Sequence, residues 1–250
     1  MIGTNPACPI PTTATRGSTP AILASRAFLG RTGLPYPAWM PTPDPRVVVR
    51  AGYDRIERAY GDWRRLEEGP VCGRFIPELL DAFTTGARIL DIGCGDGVRS
   101  APLIQHLSWF GVDLSRVQLS LALESFPSAR LLQADAARLP FRPASFDAVV
   151  AWYSLIHVPR DEHAVVFRAI ADLLRPGGRT IFTLGTNDDP MGTEDDWLGV
   201  PMFWSGFDVD TSVRLIRASR LEIESADVVQ EDEDDGETTG FLWIVARKGS

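Results

Sequence analysis

From Val47 onward, polar and apolar positions fall into a helical rhythm. Val49, Tyr53, Ile56, Tyr60 and Trp63 recur at steps of four, three, four and three, which places them on one face of a helix. A second helix is expected from Arg74 to Phe83, introduced by Pro70 and closed by Gly86. After it the apolar runs shorten to strand length: "ARILDI" (87–92), "WFGVD" (109–113), "ARLLQA" (129–134), "FDAVVAW" (146–152) and "RTIFTLG" (179–185). Helix-like stretches lie between them near 97–106, 115–125 and 161–175. Such alternation predicts a parallel sheet covered on both faces. The last two runs, "LEIESADVVQ" (221–230) and "GFLWIVAR" (240–247), are joined by the acidic "EDEDDGETT", too short for a crossover helix. They should pair as an antiparallel hairpin at one end of the sheet. The expected fold class is therefore α/β, a Rossmann-like three-layer sandwich.

Composition narrows the partners. A chain of 250 residues, 44% hydrophobic, suits one globular domain with appendages. A net charge of -8 argues against nucleic acid and anionic membrane, which demand clustered Lys and Arg. No apolar run reaches the roughly 18 residues that cross a bilayer, and no secretory signal opens the chain. Cys8, Cys72 and Cys94 are too few and too scattered for a disulfide framework or a zinc site, so a reducing cytoplasm is expected. Residues 1–45 differ from the rest, with nine of the 19 prolines and no acid before Asp44. They read as a weakly ordered extension or residues upstream of a start at Met40, with an arm over a site and an organelle-targeting peptide as the other readings. The remainder, 46–250, forms the domain.

The chemistry concentrates in "ILDIGCGDG". In an open parallel sheet the first strand-to-helix turn faces the ligand crevice. Gly93, Gly95 and Gly97 on that turn allow positive φ and close approach to the backbone. Dinucleotide folds space their glycines G-x-G-x-x-G, whereas here the third glycine comes one residue early and Asp91 precedes the turn. That acid repels a diphosphate and holds an ammonium, so the loop suits a ligand with both an amine and a carboxylate. Asp113, ending the next strand, can accept two hydrogen bonds from a ribose diol, each contributing about 1.5–3 kcal/mol. Asp135, in "QADAARLPF", stands where it could accept from a base's exocyclic amine.

The ordered set "ILDIGCGDG", "GVDLS", "ADAARLPF", "FDAVVAWYSLIHVP" and "LLRPGGRTIF" resembles the motifs of class I S-adenosylmethionine-dependent methyltransferases, especially the small-molecule branch called methyltransferase type 11. The resemblance spans about residues 47–247 and implies a seven-stranded sheet with an antiparallel last strand. It implies S-adenosyl-L-methionine as donor, S-adenosyl-L-homocysteine as product, and a small-molecule acceptor. By the same resemblance Asp91 with the loop Gly93, Cys94, Gly95 and Gly97 takes the methionine moiety. Asp113 and Leu114 then take the ribose, Asp135 and Ala136 the adenine, and Trp152 and Tyr153 line the pocket near the sulfonium. A nicotinamide oxidoreductase and a catalytically silent donor-binding protein are the rivals.

A sulfonium methyl is already electrophilic, so a base is needed only for an acceptor that must lose a proton. His157, at the rim of the crevice, is the candidate base, with pocket shaping or helix capping as its other readings. His106 and His163, on helix-like stretches, are expected at the surface. Tyr53 and Tyr60 belong to the aromatic face of a lid formed by the helices at 47–84; they serve either the sulfonium or core packing. The insertion at 185–208 carries Trp197, Met202, Phe203 and Trp204, expected as a lid or acceptor wall. Its acids Glu194, Asp195 and Asp196 lack a clustered histidine and are read as solvated or holding a cationic acceptor, with no metal. Oxygen is favoured over nitrogen or carbon as the methylated atom because of His157; oligomeric state stays open.

Overall fold

The computed structural model describes residues 43–65, 71–232 and 238–249. The readings that fall on residues 1–42, Pro70 and the tip of the acidic turn lie outside these, as do those on the side chains of Trp63 and Cys72.

Seven strands make one sheet in the order β3-β2-β1-β4-β5-β9-β8: β1 (Arg88–Ile92), β2 (Ser108–Asp113), β3 (Arg130–Gln133), β4 (Phe146–Ala151), β5 (Leu174–Gly185), β8 (Leu221–Asp232) and β9 (Thr238–Lys248). The first five run parallel, while β9 is antiparallel to both β5 and β8. This is the mostly parallel α/β sheet with an antiparallel C-terminal pair that the sequence predicts. Period-two alternation sends side chains of one strand into two separate cores. Leu90, Ile92, Val149 and Ala151 enter the core closed by α6 (His163–Leu173) and α7 (Val209–Ala218). Ile89, Ala148 and Val150 enter the opposite core, closed by α3 (Ile76–Ala82), α4 (Ala101–His106) and α5 (Arg116–Ser125). Asp91 falls in the second register, which is why a carboxylate ends up 1% exposed among tryptophans.

The single helix expected over 49–63 is broken. α1 (Pro45–Ile56) starts on Asp44, whose carboxylate accepts from Arg46 N at 2.9 Å, and stops at Glu57 with φ +45° before α2 (Arg58–Arg65) begins. A left-handed residue ends the i→i−4 ladder and redirects the chain. The next segment also differs from its prediction: a π-helical turn, Val71–Phe75, leads into α3, and Phe75, Ile76 and Leu79 are buried in the sheet core with Phe75 stacked on Trp243 at 4.4 Å. Only α1 and α2 of the expected lid helices stand over the cleft; α3 supports the sheet from below.

The insertion is an ordered hairpin, β6 (Asp189–Trp197) with β7 (Val200–Gly206), forming a separate two-stranded sheet. Leu198 and Gly199, both with positive φ, make the two-residue turn that matches strand twist. β7 lies against α1 so closely that a Cβ on Gly52 would stand 2.7 Å from Met202 Cε and 3.1 Å from Pro201 O. Among the described residues no helix is long and apolar enough to cross a membrane.

Candidate functional site

At the carboxyl ends of β1, β2 and β4, roofed by α1, lies one cleft of about 750 Å³ including its open mouth.

The floor is the glycine loop. Gly93 N and Cys94 N both donate to Val112 O, at 2.8 and 3.0 Å, bending the chain over the end of β2. Gly93, Gly95 and Gly97 have φ of +70°, +55° and +76°. At Gly93 the need for glycine is steric as well, since a Cβ would stand 2.2 Å from that of Ser154. Gly93 and Gly95 face the cleft, whereas Cys94 and Gly97 do not. The Cys94 thiol turns inward toward Gly111, and burial pushes its pKa well up, so it is an inert neutral group.

Asp91 sits behind the loop. Its Oδ2 accepts from Ser100 Oγ at 2.5 Å and from Trp109 Nε1 at 3.3 Å, and Ser100 Oγ in turn accepts from Trp152 Nε1 at 3.1 Å. Its Oδ1 has no partner despite complete burial. Burial raises the Asp91 pKa to about 7 against these lowering hydrogen bonds. An unpartnered buried carboxylate oxygen calls for a donor, and an ammonium supplies both proton and charge. Asp113 lines the cleft with each oxygen already bonded once, Oδ2 by Gly95 N at 2.9 Å and Oδ1 by Ser115 N at 2.8 Å. Burial lifts its pKa to about 6, opposed by those backbone bonds. Leu114, Ala136, Trp152 and Tyr153 also line the cleft. Tyr153 does so from φ +52°, a strained conformation held by its hydroxyl donating to Glu231 Oε1 at 2.5 Å. These residues fit a zwitterionic nucleoside.

The adenine end differs from expectation. Asp135 lines the cleft, but its Oδ2 is taken by Arg46 Nε at 2.5 Å and its Oδ1 by Ala137 N at 2.9 Å. Arg46 also donates to Glu162. Arg46, at the start of α1, was missed because its partners are 89 and 116 residues away in sequence.

At the other end stand Tyr53, Tyr60 and His157, all on the cleft wall. Tyr53 OH is 2.9 Å from His157 Nε2, and His157 Nδ1 is 2.9 Å from Phe203 O. Because a carbonyl only accepts, Nδ1 carries the proton; Nε2 is then the basic nitrogen, accepting from the Tyr53 hydroxyl. Trp204 lies against the imidazole at 4.5 Å, and Trp197 meets Tyr53 and Tyr60 at 5.8 and 5.9 Å.

Trp197, Met202, Phe203 and Trp204 do not line the cleft. Trp197, Met202 and Phe203 are 6%, 0% and 3% exposed, packed with Val49 and Ile56 in a third core. They back the wall instead of forming it: Trp197 on β6 and Met202 and Phe203 on β7 pack with Val49 and Ile56 of α1. His163 is likewise corrected from surface to core: it is 1% exposed, Nε2 contacts Val158 O at 3.1 Å, and burial lowers its pKa despite that bond. His106 is exposed. Among the described residues no three His, Cys, Asp or Glu side chains cluster as metal ligands, and Glu194, Asp195 and Asp196 are strung along β6.

A family model described as a methyltransferase domain matches residues 89–178. The methyltransferase GfsG of Streptomyces halstedii is 39% identical over 136 residues, covering 49% of this chain and 48% of that protein. A ubiquinone biosynthesis O-methyltransferase of Idiomarina loihiensis is 35% identical over 135 residues, covering 51% and 54%. The chain spans about half the length of the curated relatives it matches. Among solved structures, the 1,6-didemethyltoxoflavin-N1-methyltransferase of Burkholderia thailandensis, with 1,6-didemethyltoxoflavin and S-adenosylhomocysteine bound, superposes with TM-score 0.62 at 22% identity, over 84% of this chain and 93% of that one. At that identity the likeness carries the fold.

Proposed function

We propose, for a chain that belongs to the class I S-adenosylmethionine-dependent methyltransferases through its residues 89–178, that it moves a methyl group onto a hydroxyl oxygen of a small, partly apolar molecule in the cytoplasm. One observation carries the choice of oxygen: the Phe203 carbonyl, His157 and Tyr53 form a line of hydrogen bonds ending at the cleft wall.

The donor supplies a methyl group on a positively charged sulfur, already activated for displacement. What remains for the protein is to bind, align and deprotonate. Asp91 Oδ1 would hold the ammonium, Asp113 the ribose hydroxyls and the loop amides the carboxylate, with Asp135 at the adenine edge. Alignment of acceptor and donor in one closed cleft could account for roughly 7–11 kcal/mol of the barrier. The acceptor hydroxyl gives its proton to the Tyr53 oxygen as Tyr53 passes its own proton to His157 Nε2. The resulting imidazolium keeps its Nδ1–H on the Phe203 carbonyl, which stabilises the charge. The aromatic edges of Tyr53 and Tyr60 exclude water and favour a flat, partly apolar acceptor. The names of several similar proteins, two O-methyltransferases and a ubiquinone biosynthesis O-methyltransferase, agree with this chemistry.

The test is methyl transfer from labelled S-adenosylmethionine to a panel of phenols, enols, alcohols and amines. Oxygen-methylated product, lost on His157→Gln with S-adenosylhomocysteine affinity kept, supports the proposal. Methylation of amines only, undiminished in that variant, refutes it.

A further inference from the structure

We infer that Glu231, on the C-terminal hairpin, is a positioning residue for the candidate base: through the Tyr153 side chain it holds a left-handed bend of the backbone that sets the turn carrying His157 at the cleft wall. The inference rests on the reading of His157 given above and names a residue 78 positions along the chain from Tyr153.

Tyr153 leaves β4 with φ +52°. Glycine takes that conformation readily, whereas a tyrosine keeps it only where its surroundings over-determine it. Those surroundings grip the side chain. Tyr153 is 3% exposed, its ring meets Phe241 and Trp243 edge-on at 5.0 and 5.4 Å, and the Arg99 guanidinium lies 4.9 Å from the ring centroid. Its hydroxyl donates to Glu231 Oε1 at 2.5 Å. Apolar contact holds the ring loosely along its length; the hydrogen bond pins its tip. Glu231 reaches this point because β8 and β9 run past the end of β5. Phe241 pairs with Gly185, the last residue of β5, and Glu231 with Thr239, two residues nearer the hairpin tip.

The bend decides where the following residues go. Ser154 Oγ donates to Ile92 O at 2.6 Å, and Ser154 packs on Gly93 closely enough to exclude a Cβ there. Ser154 O then accepts from His157 N at 3.2 Å, which closes the short helical turn Leu155–His157. Tyr153, Ser154 and His157 all line the cleft. If Tyr153 relaxed to negative φ, Ser154 and the turn behind it would shift. His157 would then lose its alignment between Phe203 O and the Tyr53 hydroxyl, each 2.9 Å away. The donor side is better protected, because Gly93 N and Gly95 N are held independently by Val112 O and Asp113 Oδ2.

The test uses the full chain with histidine labelled in its ring nitrogens. Magnetic resonance reads the His157 tautomer, assigned by comparison with His157→Gln, and calorimetry reads affinity for S-adenosylhomocysteine. The wild type should show His157 as one tautomer with its proton on Nδ1. Glu231→Ala should lose that single signal to a mixture, and so should Tyr153→Phe, which deletes only the hydroxyl; the double variant should add nothing further. Glu231→Gln keeps an oxygen for the tyrosine hydroxyl and should restore the wild-type spectrum. Both Glu231 variants should bind S-adenosylhomocysteine within threefold of wild type. A wild-type His157 signal in Glu231→Ala and Tyr153→Phe overturns the inference, as does a Glu231→Gln spectrum no better than that of Glu231→Ala. Mixed tautomers in the wild type would overturn it too, since there would be no alignment to hold. Failure of the base reading looks different: methyl transfer undiminished in His157→Gln, with the His157 signal still answering to Glu231. Melting curves check that the fold is kept, and if Glu231→Ala does not fold, Tyr153→Phe carries the test.

Discussion

The two ends of the cleft are built in opposite ways. The donor end comes from one stretch of chain, residues 88–136, in which Asp91 and Asp113 lie at the carboxyl ends of β1 and β2 and the turn after β1 carries Gly93, Gly95 and Gly97. The acceptor end is assembled from three segments far apart: Tyr53 and Tyr60 on α1 and α2, His157 after β4, and the β6–β7 hairpin behind both. The first is fixed by backbone bonds within that stretch, Gly93 N and Cys94 N to Val112 O and Gly95 N to Asp113 Oδ2. The second depends on whether a helix, a histidine and a hairpin dock correctly, which makes it the more easily altered part.

Substitutions should separate the two. The largest effect is expected for Gly93→Ala, where the added Cβ meets Ser154 at 2.2 Å with φ at +70°. Overpacking and a positive φ together should cost about 2–5 kcal/mol, seen as a lower melting temperature with loss of donor binding. A variant that melts like wild type would show that the loop is not under this constraint.

His157→Gln and Tyr53→Phe should lower turnover about 10²- to 10⁴-fold, the usual contribution of a positioned base. Affinity for S-adenosylhomocysteine should stay within twofold. Equal loss in binding and turnover would mean that the two ends are not separable.

Asp113→Ala should weaken S-adenosylhomocysteine by about 30- to 1000-fold in calorimetry, while the melting temperature of the unliganded protein changes little or rises. Removing an acid whose pKa is already lifted to about 6 relieves a desolvation cost.

The pH dependence sharpens the same point. In the folded chain Asp91 keeps its proton up to about pH 7 and Asp113 up to about pH 6; unfolded, both lose it near pH 4. The folded state therefore binds more protons between those limits, and these two groups make stability fall as pH rises from 4 to 7. Ligand affinity runs the other way, because ammonium and diol prefer ionised carboxylates. It should drop by up to about tenfold per unit below pH 7 and more steeply below pH 6. Parallel slopes of stability and affinity would exclude this assignment.

The smallest effect is expected for Arg46→Gln. The pair with Asp135 is 23% and 18% exposed, so its loss should cost about 1 kcal/mol or less. Donor affinity should move by only a few-fold, since Asp135 is released as Arg46 is lost.

The unequal legibility of the sequence follows from this construction. Asp91, Gly93 and Asp113 could be placed because strand ends and turn glycines are local features with a fixed spacing. The parallel strands and the antiparallel pair at the end of the sheet followed from alternating apolar runs for the same reason. Arg46 left no such trace, since its partners Asp135 and Glu162 are set by how α1 lands on the sheet. His163 was legible in principle: with Val166, Phe167 and Ile170 it keeps the i, i+3, i+4, i+7 spacing of the buried face of α6. The aromatic content of residues 185–208 was visible, but an apolar stripe facing a ligand and one facing a helix have the same composition. Only pairing with α1 decides between them.

The contact between Gly52 and Met202 has a practical consequence for anyone redesigning this molecule. The helix and the hairpin fit like two teeth of one gear, so exchanging either alone with a homologue's counterpart would jam the mesh. Chimeras that transplant residues 45–65 and 189–206 as a matched set are the ones that should stay folded while the choice of acceptor changes.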